Sequence, residues 1–165
     1  MVVAAIAIAR RARSARLQRR FGSEYDRVAR NRGDRAVAER ELVRREERVK
    51  TFRLQELPPG ARDRYAEEWR QTQARFVDEP VAALAQADAL IANVMRDRGY
   101  PVADFEQRAA DLSPDHARVL EDYRIAHGIS ARSDGGSTDT EELRQAMVHY
   151  RRLFDDLLGT ERTTT

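Results

Sequence analysis

The chain has 165 residues, 35% of them charged and 7% aromatic, and no cysteine. That length suits one domain with a hydrophobic core of its own, and the missing thiols exclude disulfides, cysteine nucleophiles and cysteine-ligated zinc or iron–sulfur sites. The net charge of +2 is unevenly spread: residues 1–20 hold six arginines and no acid, whereas the remainder holds 24 basic and 28 acidic residues, so a basic tail adjoins an acidic body.

Residues 1–9, MVVAAIAIA, are wholly apolar and run directly into RRARSARLQRR. Nine helical residues rise only ~13 Å against a hydrocarbon core of ~30 Å, so the run as written does not span a bilayer. Its charges follow the apolar stretch rather than precede it, which is the reverse of a signal peptide and resembles the cytoplasmic exit of a membrane helix. Two expectations follow for 1–20. It is either the end of an anchor whose start lies upstream, or a short apolar terminus that docks on the bundle or stays mobile. Arg10, Arg11, Arg13, Arg16, Arg19 and Arg20 are the candidate membrane or phosphate contacts, each worth ~1 kcal/mol near an anionic surface.

From Leu17 the apolar positions Leu17, Phe21, Tyr25 and Val28 keep helical spacing, so the basic helix is expected to continue through Gly22 to Arg32. Gly33 stops it and Asp34 caps the next helix, about 35–53, with the thin stripe Ala38, Leu42, Val49 and Phe52. Glu41 with Arg45 and Glu46 with Lys50 stand in the order that favours i, i+4 pairs on a solvated face. Leu57–Pro58–Pro59–Gly60 then breaks the chain. Tyr65, Trp69, Thr72 and Phe76, and Leu84, Ala87, Ile91 and Val94, form the clearest paired stripes. The proline at position 80 leaves 61–98 either as two helices or as one kinked helix.

A short helix is expected at about 102–111. Ser113 and Pro114 are expected to open a helix carrying His116, Leu120, Tyr123 and His127. Residues 128–137 are read as a flexible loop, and Thr138 with Glu141 as the capping box of a last helix with the stripe Leu143, Met147, Tyr150, Phe154 and Leu157. The expected fold is therefore all-α, an antiparallel bundle of about five to six helices with a basic N-terminal helix over 1–20, a body over 21–159 and a disordered tail over 160–165. Its predicted core is Tyr65, Trp69, Phe76, Leu84, Ile91, Leu120, Tyr123, Met147, Tyr150 and Phe154.

Candidate chemistry is sparse. His116 and His127 share a helical face but lie ~16 Å apart along it, too far for one metal, and no histidine has a glutamate three positions earlier. The doublets Glu67–Glu68, Asp78–Glu79 and Asp155–Asp156 point in different directions on a helix, so none is a local acid–base pair. The loop SDGGST lacks a Walker lysine. No catalytic residue, metal or cofactor is assigned. Of the 30 basic residues only Lys50 is a lysine, a bias that GC-rich codon usage explains, so arginine abundance alone says little about nucleic acid. The run RRARSARLQRR also lacks interleaved aromatics, which weighs toward a membrane surface over nucleic acid.

The stretches RRFGSEYDR, RYAEEWRQTQARFVDEP, ADALIANVMRDRGYP, DFEQRAADLSPDHARVLEDYR and LRQAMVHYRRLFDDLL resemble a group of small uncharacterised helical proteins of high-GC Gram-positive bacteria, over about Arg20 to Leu158. In that group the FG-x-EYDR stretch typically follows a membrane-spanning helix and a basic cluster. The resemblance implies an anchored protein facing the cytoplasm and supplies no activity or ligand. The chain departs from the group in having nine apolar residues before the arginines. The expected function is a non-enzymatic interaction module at the cytoplasmic face of the membrane, with an unidentified protein partner or a second copy of itself. The alternative is a cytosolic regulatory or nucleic-acid-associated protein using the same arginines.

Overall fold

The computed structural model describes residues 2–101, 103–133 and 138–159, with side chains from Ile6 onward. Among these residues there are eight helices and no strand: α1 Val2–Phe21, α2 Ser23–Arg32, α3 Arg35–Lys50, α4 Ala61–Arg75, α5 Pro80–Asp97, α6 Phe105–Leu112, α7 Ala117–Ser133 and α8 Thr140–Leu158. The all-helical bundle is as expected, but the count exceeds five to six. One cause is Gly22. Its φ of 51° lies in the left-handed region, so the chain breaks there while Leu17, Phe21, Tyr25 and Val28 still face one core.

Other boundaries follow from local hydrogen bonds. Asp34 caps α3 by accepting from the Val37 amide at 2.9 Å, as read from the sequence. Ser113 does not open a helix. It closes α6, its hydroxyl donating to the Ala110 carbonyl at 2.7 Å, and α7 starts only at Ala117, so His116 precedes that helix. α7 runs on through Gly128 to Ser133, where a loop was expected. Asp139, not Thr138, caps α8, accepting from the Glu142 amide at 2.8 Å. The segment 61–98 resolves into two helices meeting at Glu79, with Pro80 as the first residue of α5. Residues 134–137 of the expected loop and the expected tail 160–165 lie outside the described residues.

Two separate apolar cores result. The larger is built by α4 to α8: α7 and α8 form a hairpin, α8 also packs along α5, and α4 lies on α5. Trp69 and Phe154 stack at its centre with ring centroids 4.6 Å apart. The smaller is built by α1, α2 and α3 from Leu17, Phe21, Tyr25, Val28, Ala38 and Leu42. The division of charge follows the division of cores. Residues 1–50 carry 15 basic and 7 acidic side chains, net +8, and residues 51–165 carry 15 and 21, net −6. The boundary therefore lies thirty residues beyond the one the N-terminal arginines suggest.

Candidate lipid-facing helix and the ionic seam beneath it

α1 is fixed at one end only. Leu17 and Phe21 are fully buried in the smaller core, whereas every side chain from Ile6 to Arg13 is exposed, including Ile8 at 67%. The helix is thus a stalk whose stretch from Ile6 to Arg13 stands clear of the bundle. No described helix is long and apolar enough to cross a membrane.

The six predicted contact arginines divide into two sets. Arg10, Arg11, Arg13 and Arg19 are exposed and form no ion pair among the described residues. Arg16 instead grips Glu46 with two bonds, 2.8 and 3.0 Å long. Arg20 reaches Glu46 at 3.3 Å, Asp115 at 3.2 Å and the Pro114 carbonyl at 3.2 Å. These two bind α1 to α3 and to the turn before α7.

They belong to an ionic seam between the two cores. Glu24, on α2, is buried and accepts from Arg27 at 2.7 Å, from Arg45 of α3 at 2.7 Å and from Arg124 of α7 at 3.1 Å. Burial alone would push its carboxyl up, but the three guanidinium groups outweigh it and hold the pKa at about 2. Arg124 continues to Glu106 at 3.2 Å, and Arg45 pairs with Glu41 as the spacing suggested, though largely buried and not on a solvated face. Arg48 donates to the buried Asp111 at 2.8 Å, joining α3 to α6. Glu46 is not paired with Lys50 on a solvated face. It is buried against α1, and Lys50 turns to Glu47 at 2.7 Å.

The predicted core residues all lie in the larger core, nine of them buried and Phe76 half-buried against it. A polar cluster sits beside them that periodicity did not reveal. Arg108 donates to Asp88 at 2.9 Å, and the Tyr123 hydroxyl donates to the same carboxylate at 3.2 Å. Burial pushes the phenols of Tyr123 and Tyr150 well above their ordinary range. The histidines fall into side-chain contacts on separate parts of the bundle. His116 Nδ1 lies 2.5 Å from Asp156, His149 Nδ1 lies 2.5 Å from Asp122, and His127 stacks on Phe105, its pKa lowered by burial. The acidic doublets diverge: Asp155 takes Arg151 while Asp156 takes His116.

Comparison with protein-family models, curated proteins and solved structures finds no match to this chain. The functional reading therefore rests on the geometry of α1 and of the seam that holds it.

Signals for the seam were present in the sequence. Glu24 falls between Phe21 and Val28 on the same helical stripe, and Glu46 fills the gap between Leu42 and Val49. An acid on an apolar stripe is a buried acid that needs a cation, and the neighbouring arginines supply it.

Proposed function

We propose that the protein is a non-enzymatic helical interaction module held at the cytoplasmic face of a membrane by α1, akin to the anchored group its central stretches resemble. In this arrangement the acidic bundle is presented to a protein partner. The observation that carries the proposal is the one-ended docking of α1: Leu17 and Phe21 buried, Ile6 to Arg13 exposed. An apolar helix end entering one leaflet, with arginines just behind it at the headgroups, joins burial of apolar area to attraction by anionic lipid.

The test is sedimentation of the full chain with vesicles of phosphatidylglycerol and phosphatidylcholine. Binding is expected to rise with the anionic fraction, and to be lost in Ile6→Glu/Ile8→Glu with the melting temperature unchanged. Failure of the wild-type chain to bind anionic vesicles at low salt would remove the proposal. Binding to DNA or RNA that is insensitive to Ile6 and Ile8 and falls steeply with salt would favour the cytosolic nucleic-acid reading instead.

A further inference from the structure

α1 and α3 run side by side below the apolar start of α1. A cleft of about 250 Å³ opens between them, lined by Arg10, Arg11, Ser14, Ala15, Gln18 and Arg35. Three of the six lining residues are arginines and none is an acid. Arg10 and Arg11 follow the last apolar residue directly, so the mouth of the cleft stands at the level where a lipid-inserted helix would meet headgroups. Arg35 comes from the first position of α3, far away in sequence.

Arg35 is also aimed. Its Nε donates to the Tyr25 hydroxyl at 2.7 Å, and that hydroxyl donates in turn to Glu39 at 2.8 Å. Ser14 donates to the same Glu39 oxygen at 2.6 Å. Glu39 also pairs with Arg35, 3.5 Å from its Nε. With Nε engaged, the terminal nitrogens of Arg35 form no bond to protein among the described residues, and a guanidinium fork so placed matches two oxygens of a phosphate.

We infer that this cleft is a binding site for the phosphate of an anionic lipid headgroup, gripped by Arg35 of α3 together with Arg10 and Arg11 of α1. It rests on the membrane-facing role proposed for α1 and adds a discrete site to it. Diffuse attraction to a charged surface depends on charge alone, whereas a built site depends on the guanidinium shape. The full chain is therefore compared with Arg35→Lys and with Arg44→Lys, an exposed arginine of α3 outside the cleft. At physiological salt, Arg35→Lys is expected to weaken binding to phosphatidylglycerol vesicles by about fivefold or more, because lysine keeps the charge and loses the fork; Arg44→Lys stays within about twofold.

Tyr25→Phe, which changes no charge and removes the bond that aims Arg35, is expected to weaken binding in the same direction. Wild-type affinity in both Arg35→Lys and Tyr25→Phe would overturn the site while leaving the role of α1 intact. Loss of binding by the wild-type chain would remove both. If millimolar inorganic phosphate alone perturbs the Ser14 and Gln18 amide resonances as strongly as vesicles do, the cleft is a free-phosphate site and the lipid assignment is overturned.

Discussion

Replacing Glu24 by glutamine tests whether the seam holds the two cores together. In the folded chain its pKa is about 2 against an ordinary value of 4.5, a difference that corresponds to about 3 kcal/mol of stability. Between those two values the unfolded chain binds the extra proton, so this stability is complete above pH 4.5 and is lost as the pH falls toward 2. Glu24→Gln fixes the side chain in the neutral state and is expected to cost the same ~3 kcal/mol at pH 7, in the range for breaking one side of a buried ion pair. It should also flatten the rise of stability with pH across that window. Urea unfolding at pH 7 and at pH 3, followed both by circular dichroism and by Trp69 emission, measures each effect. Trp69 reports the larger core alone, so the helix signal of α1 to α3 is expected to be lost at lower urea than the tryptophan signal. A variant within ~0.5 kcal/mol of wild type at pH 7, with coincident transitions and an unchanged pH slope, would refute the reasoning.

Two further substitutions probe packing that the fold depends on. Gly99 has a φ of 91°, and a Cβ there would overlap the Arg53 carbonyl oxygen, so Gly99→Ala must displace the 51–60 connection and its Gln55–Arg98 backbone bond; thermal melts should show a loss of about 2–3 kcal/mol. Phe154→Ala removes the partner stacked on Trp69 and should cost about 3–5 kcal/mol with a red shift of Trp69 emission, whereas a cost under ~1 kcal/mol with unshifted emission would show that α4 and α8 are not packed there.

The larger core was legible because its stripes are uninterrupted: Tyr65, Trp69 and Thr72 on α4, and Leu143, Met147, Tyr150, Phe154 and Leu157 on α8, are buried at the spacing read from the sequence. The break at Gly22 was hidden by the same rule that revealed those helices, since four-residue steps run through it and a periodicity argument is blind to φ. Serine before proline favours a helix start, whereas the Ser113 hydroxyl bonds back to Ala110 and ends one. Lys50, four residues on, suggests a solvated face for Glu46, whereas its partner Arg16 lies thirty residues away. Local spacing ranks near partners well and cannot weigh distant ones. The cleft at Arg35 was out of reach for the same reason.

The two sets of α1 arginines differ in what lies opposite them. Arg16 and Arg20 flank Leu17, so whatever buries Leu17 brings them against Glu46 and Asp115, and their charge is consumed inside the molecule. Arg10, Arg11 and Arg13 sit one to two turns further out, and Arg10 is ~10 Å along the axis from Leu17, beyond the reach of those acids. Arg10 and Arg11 thus keep their charge outward, whereas Arg35 shares its own with Glu39, 3.5 Å from its Nε. A surface meeting this tier would face the net +8 half of the chain, with the net −6 half on the other side of the seam. On the proposed membrane role, this division of charge would favour α1 toward an anionic surface and the acidic bundle away from it. The pairs Arg124–Glu24, Arg20–Asp115 and Arg48–Asp111 keep the two halves in that order.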